Sequence, residues 1–251
     1  MPDSPAQANI IDAPRPALQR TALLLDFDGT LVDIRSTPDA VEVSAELAEV
    51  MAHAAARLEG RLAIVSGRSL EQLEQLWSGA MPAIVVAGSH GQELKVAGTV
   101  FGPAQTDLFA RLASVAGGHF SDVSGVVIEE KTFGLAIHYR LASQHRDSVQ
   151  TWAQDIAAQC DLLVQHGDMV FELRPRGADK GDAVRAIMAL DQFQGSVPVF
   201  IGDDYTDIPA FEAVQALGGT AISVGPRTAD RSDQQLADVA GVLARIRELV
   251  A

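Results

Sequence analysis

The chain has 251 residues, enough for one large domain or two modest ones around an adequate core. Its 33 acidic and 19 basic residues leave a net charge of −14, which sets the molecule as a whole against nucleic acid and anionic membrane. A single cysteine, Cys160, rules out an internal disulfide and suits a reducing, cytoplasmic setting.

Residues 1–19 carry Pro2, Pro5, Pro14 and Pro16, without a basic start or an apolar run, so a frayed tail is expected rather than a signal or a membrane span. Leu23-Leu24-Leu25 then leads into Asp26-Phe27-Asp28-Gly29-Thr30. An apolar run ending in acids and a turn reads as a buried parallel strand that delivers carboxylates at its C-terminal tip. Ser44 is placed as the N-cap of a helix with apolar or Ala positions at Leu47, Val50, Met51, Ala54, Ala55 and Leu58. A strand at Leu62–Val65 ends in Ser66-Gly67-Arg68, a helix follows from Ser69 to about Trp77, and a strand at Ala83–Ala87 ends in Gly88-Ser89-His90-Gly91. Strands alternating with helices at this spacing point to right-handed βαβ units and a parallel sheet.

From about Val100 to Asp179 the rhythm changes. A helix (Gln105–Ala116), a strand (Val126–Lys131), a strand alternating at Leu135, Ile137 and Tyr139, a helix (Ser143–Cys160), and a hairpin (Leu162–Val164, Val170–Arg174) turning at His166-Gly167-Asp168 imply an antiparallel α+β insert. The first rhythm then returns with helix Lys180–Leu190, strand Val197–Ile201, Gly202-Asp203-Asp204, helix Ile208–Leu217, strand Thr220–Val224 and helix Asp230–Leu249. The division expected is a tail (1–19), a core (20–102 and 179–251) and an inserted domain (103–178), with hinges near Gly98–Pro103 and Gly177–Asp179. A monomer is expected.

Asp26 and Asp28 are crowded, and Asp203, Asp204 and Asp207 form a second acidic cluster at the tip of another apolar strand. Turn chemistry explains an Asp-Gly, and helix capping explains one acid, but not three within five positions. A divalent cation accounts for such charge density, and oxygen ligands suit Mg²⁺.

Asp26-Phe27-Asp28-Gly29-Thr30, Ser66, Lys180 and Gly202-Asp203-Asp204-Tyr205-Thr206-Asp207 resemble, in order, the four motifs of haloacid-dehalogenase (HAD) phosphatases. The resemblance implies a Rossmann-like α/β core with an inserted α/β cap. Gly88-Ser89-His90-Gly91, Glu129-Glu130-Lys131, His138-Tyr139-Arg140 and the run from Glu172 to Gly177 resemble the trehalose-6-phosphate phosphatases among them. By that resemblance Asp26 is the nucleophile and Asp28 the general acid and base, and Ser66 and Lys180 bind the phosphoryl oxygens. Mg²⁺ is held by Asp26, the Asp28 carbonyl and Asp203, with Asp204 and Asp207 orienting its waters or nearby basic groups. Glu129, Lys131 and Glu172 are expected to meet the glucose rings, with His138 and Arg140 near the same surface and Thr30, Gly67, Gly88, Ser89, His90 and Gly91 near the substrate. Arg68 is expected either at the phosphate or against Asp204. Glu130 should face away, and Trp77 and Trp152 should pack helices. The implied activity is release of phosphate from a small sugar phosphate, trehalose 6-phosphate first. Sucrose 6-phosphate, mannosyl-3-phosphoglycerate and a non-catalytic phosphosugar-binding protein are the alternatives.

Overall fold

The computed structural model describes residues 20–35, 37, 40–77, 81–102, 107–131, 133–175, 177 and 179–251. The tail 1–19, Pro103 and Gln105 lie outside them, as do Arg176 and Ala178. One sheet of eight strands forms the core: β1 (Thr21–Leu25), β2 (Leu62–Val65), β3 (Val85–Gly88), β4 (Glu93–Val96), β5 (Thr99–Phe101), β10 (Val197–Gly202), β11 (Thr220–Val224) and β12 (Gln234–Leu236), in spatial order β12-β11-β10-β1-β2-β3-β4-β5. The strands run parallel from β12 to β3, and β4 and β5 then add antiparallel.

The apolar runs follow from burial on both faces. Alternation along β1 sends Leu23 and Leu25 to one side, against Leu47, Val50 and Met51 of α1 (Ala45–Arg57) and Val242 and Ile246 of α7 (Val239–Val250). Ala22 and Leu24 go to the other, against Val184 and Ile187 of α5 (Lys180–Met188) and Phe211 and Val214 of α6 (Ile208–Ala216). The helices thus cover both faces. The α1 start is set by Ser44, whose hydroxyl accepts the Leu47 N–H at 3.1 Å. The short helix α2 (Leu70–Leu76) is closed by a reciprocal Ser69–Gln72 capping box.

The chain leaves the core sheet after β5 and returns at α5. Between them α3 (Leu108–His119), β6 (Val127–Lys131), β7 (Gly134–His138), α4 (Arg146–Cys160), β8 (Leu162–Gly167) and β9 (Val170–Pro175) build a second, antiparallel sheet in the order β6-β7-β9-β8. Leu135, Ile137, Phe171 and Leu173 pack under Phe109, Leu112, Val149 and Trp152 of the two helices, giving the insert its own core. Its other face carries Glu129, Lys131, His138, Gln165 and Glu172.

Several boundaries differ from the expectation. The expected helix Asp230–Leu249 is three elements. Asp233 accepts the Ala221 N–H at 2.8 Å and the Ser232 hydroxyl donates to the Ser223 hydroxyl of β11 at 3.0 Å, so side chains tie this stretch to β11 as the edge strand β12. Helix α7 begins only at Val239, capped by Asp238. The β4–β5 hairpin was not expected. Gly98, placed near a hinge, lies with Ala97 in its tight turn, both at positive φ, inside the core sheet. Ser143 falls in a 3-10 stretch (Arg140–His145) ahead of α4, and His166 and Gly167 extend β8, so the hairpin turns at Asp168-Met169.

Candidate active site

Strand β1 pairs with β10 on one side and β2 on the other, so chain order reverses at β1 and a crevice opens at the strand tips. The register pairs Leu25 with Ile201. Asp26 and Asp203 therefore leave neighbouring strands side by side. Carboxylate oxygens of Asp26, Asp203 and Asp207 lie within 4.8 Å of one another. Gly29 makes this approach possible: it sits at φ +82°, and a Cβ there would collide with the Asp203 carboxylate.

Lys180, at the N-terminus of α5, is buried with its ammonium 2.6 Å from both Asp26 Oδ1 and Asp207 Oδ1. Burial works against the charge, but Asp207 and Asp26 outweigh it and hold the Lys180 pKa above its ordinary value. Asp207 is fully enclosed, and its other oxygen accepts the Asp204 N–H at 3.0 Å. Both its oxygens are thus engaged, and it acts as the seat of Lys180. Asp203 accepts no hydrogen bond among the described residues. Desolvation and then the Asp207 charge push its pKa up to about 7. The same two causes raise Asp26, against Lys180.

Asp28 is gripped by both arms of Arg68, with Nε and one terminal nitrogen each 2.7 Å from its two oxygens. Asp204 pairs instead with Arg227, at 2.9 Å. Arg68 therefore does not meet Asp204, the partner considered for it from sequence. Ser66 is buried beside this pair, its hydroxyl accepting the Arg68 N–H at 3.1 Å.

Above these groups lies a cavity of about 220 Å³, walled by Asp26, Asp28, Gly67, Arg68, His90, Lys180, Asp203 and Asp204 below and by Glu129, Lys131, His138, Arg140 and Glu172 of the insert above. The upper wall follows from strand register: Glu129, Ala136, Glu172 and Gln165 lie in a cross-strand row, with the small Gly134 and Ala136 between the long side chains. Lys131 donates to Glu172 at 2.7 Å, His138 meets Glu129 at 2.8 Å, and Arg140 donates to Asp168 at 3.1 Å. Burial opposes the Glu172 charge, yet Lys131 and His90 hold its pKa far below the carboxylate range. Gln72 of α2 donates to Glu129 at 2.8 Å, and the His90 ring lies 3.2 Å from Gln165 and 3.6 Å from Glu172, so the insert is seated on the core. Desolvation lowers the His90 pKa despite Glu172.

Four residues expected near the substrate stand behind this wall. Thr30 is fully buried. The Ser89 hydroxyl donates to Glu93 at 2.8 Å. A Cβ on Gly88 would meet the Leu70 N–H at 2.8 Å, and one on Gly91 would meet Ala183 of α5 at 2.9 Å. These glycines let β3 and its loop approach α2 and the helix bearing Lys180. Glu130 is exposed, and Trp77 and Trp152 pack in the two cores. Arg227, Gln72, Gln165 and Asp168 were not singled out from sequence. Only Arg227 left a signal, as a polar residue just after β11 at the active edge.

An acidic crevice at the switch point of a Rossmann-like sheet, roofed by an inserted antiparallel cap, defines an HAD-type phosphatase core. Residues 24–239 match the family described as trehalose-phosphatase, and the chain belongs to that family. It is 41% identical to a probable trehalose-phosphate phosphatase of Sinorhizobium fredii over 83% of this chain and 79% of that one. It is 37% identical to the trehalose-6-phosphate phosphatase of Escherichia coli over 81% and 77% of the two chains. A crystal structure of a trehalose-6-phosphate phosphatase related protein superposes with a TM-score of 0.77 at 26% identity, over 90% of this chain and 95% of that one. The C-terminal domain of the Candida albicans enzyme shares the fold with a TM-score of 0.79 at 21% identity, over 95% and 97% of the chains.

No helix among the described residues is long and apolar enough to cross a membrane.

Proposed function

We propose that this phosphatase hydrolyses trehalose 6-phosphate to trehalose and phosphate through an aspartyl-phosphate on Asp26. The observation that carries the reading is Asp26 itself, a buried carboxylate held by Lys180 and open to a cavity whose roof is lined by Glu129, Lys131 and Glu172. A carboxylate oxygen of Asp26 attacks phosphorus as the bond from phosphorus to the sugar oxygen breaks, and Asp28 supplies the proton that the leaving oxygen takes. Protonating Asp28 removes the charge that strengthens its fork with Arg68, so the pair weakens when Asp28 carries the proton. Water then attacks phosphorus as the bond to Asp26 breaks, giving one proton to Asp28, so that phosphate leaves and the Asp26 carboxylate is restored. Lys180 and Ser66 stabilise the phosphoryl oxygens.

The donor set suits a metal. Five carboxylates (Asp26, Asp28, Asp203, Asp204 and Asp207) face three cations (Arg68, Lys180 and Arg227), and the two-charge deficit is what one divalent ion restores. Oxygen-only ligands favour Mg²⁺. Asp26, Asp203 and the Asp28 carbonyl would hold it, and it would offset the charge that gathers as a phosphate approaches Asp26.

In the roof the lysine and the arginine each have an acid, Lys131 with Glu172 and Arg140 with Asp168, and the His138 ring hydrogen-bonds Glu129. Such pairs suit neutral hydroxyls, which both donate and accept. They leave no surplus charge for a second anion, which disfavours mannosyl-3-phosphoglycerate. The test is phosphate release from trehalose 6-phosphate, sucrose 6-phosphate, glucose 6-phosphate and mannosyl-3-phosphoglycerate with Mg²⁺, with Asp26→Asn as control. Preference for trehalose 6-phosphate, lost in the variant, is expected. Equal turnover of all four would overturn the reading of the roof, and full activity of Asp26→Asn would overturn the mechanism.

A further inference from the structure

Arg227 belongs to none of the motifs, yet it joins the two lobes. It follows β11, beside the fully buried Thr228, and its guanidinium reaches in two directions. One terminal nitrogen donates to Asp204 Oδ1 at 2.9 Å, and the other lies 3.6 Å from Asp168 Oδ2. Asp168 occupies the β8–β9 turn of the insert, where Met169 at φ +61° closes the hairpin. Asp168 is also tied to its own lobe, because Arg140 donates to its carboxylate and its carbonyl at 3.1 Å each. Asp204 in turn belongs to the acidic loop: its carboxylate accepts the Tyr205 N–H at 2.8 Å, and its own N–H donates to Asp207.

The result is a row of alternating charge, Arg140–Asp168–Arg227–Asp204, two residues from each lobe, all on the cavity wall. Glu129, which receives Gln72, lies on β6, one edge of the insert's sheet, and Asp168 lies at the end of β8, the other edge. The insert is therefore held to the core by Gln72 at one edge and by His90 against Gln165 and Glu172, and Arg227 adds a pin at the hairpin turn.

We propose that Arg227 is a positioning residue, a clasp that holds the cap hairpin down on the acidic loop so that the sugar-facing wall stays in register with Asp26. Asp168 is already neutralised within the cap by Arg140, so its contact with Arg227 serves the seating of one lobe on the other. Arg227 and Asp168 are both part-exposed, which makes the clasp weak enough to open for entry and release, and sensitive to salt.

This rests on the proposed function only for the identity of the substrate. The test combines amide hydrogen exchange of the substrate-free protein with steady-state kinetics on trehalose 6-phosphate, for Arg227→Met, Asp168→Asn and the double variant. Expected are faster exchange in residues 162–175 in each single variant, a KM raised about two- to fivefold and by more than kcat falls, and a double variant no worse than the worse single one. Arg227→Lys should restore part of the protection, and the difference from wild type should shrink in high salt. Multiplicative losses in the double variant, or exchange identical to wild type, would overturn the clasp. Loosened exchange in a protein that turns over only other sugar phosphates would leave the clasp standing and remove the substrate.

Discussion

The most exacting prediction concerns Asp203→Asn, because the same side chain should be needed for activity and harmful to stability. Its folded pKa is pushed up to about 7 from an ordinary 3.8, by desolvation first and the Asp207 charge second. Between those values the folded state holds more protons than the unfolded one, so without metal stability falls as pH rises through the window and is lowest above 7. Asp26, raised for the same reasons, acts in the same direction. The full gap is worth at most about 4 kcal/mol at ~1.4 kcal/mol per tenfold. Water in the cavity screens it, so about 1–2 kcal/mol is expected at pH 8. Asp203→Asn keeps the shape and removes the charge. Urea unfolding of the metal-free variant at pH 8 should show it more stable than wild type by that amount, with the gain fading towards pH 5, while phosphatase activity is lost. Added Mg²⁺ should stabilise wild type and leave the variant unmoved. A variant less stable than wild type at pH 8, or equally stabilised by Mg²⁺, would refute the view of these acids as an uncompensated cluster built for a cation.

Lys131→Met strands the buried Glu172 with only His90 at 3.6 Å; a stability loss of up to about 3 kcal/mol and a KM rise of roughly tenfold are expected, read by thermal unfolding and kinetics. Gly29→Ala forces a side chain into φ +82° and against the Asp203 carboxylate. It should destabilise by about 1–3 kcal/mol and weaken Mg²⁺ binding in calorimetry, and unchanged binding would show the turn has another purpose. Asp238→Ala removes the cap that accepts the Gly241 N–H at 2.9 Å and should lower stability by about 1 kcal/mol with activity intact.

The core was legible because β1, β2 and β10 are buried on both faces, and such strands announce themselves as unbroken apolar runs tipped with polar residues. The acidic loops were legible because carboxylates that dense need a common cause. Where surface side chains decide the backbone, the pattern misled. The helical spacing from Leu236 to Leu249 was real, but Asp233 and Ser232 hold β12 to β11 by hydrogen bonds that periodicity does not register. Likewise Gly88-Ser89-His90-Gly91 looked like one substrate loop, whereas only His90 reaches the cavity and its neighbours serve the close packing of α2 and α5. Arg227 and Asp168 could not be paired from sequence, since they come from different lobes 59 positions apart.

The two walls of the cavity divide the work by charge. The floor carries two negative charges more than its cations offset, and such an excess is stable only if something cationic is expected there. In the roof Lys131 and Arg140 are each matched by an acid, so it holds no surplus positive charge to draw the phosphate in. On a chain of net charge −14 an anionic substrate meets repulsion at long range, and binding must come from contacts made after arrival. Selectivity then depends on how well the roof matches the sugar hydroxyls, and so on how firmly the insert is seated. Under the proposed function and clasp, specificity lies as much in the seam between the lobes, at Gln72–Glu129 and Asp168–Arg227, as in the residues that touch the phosphate.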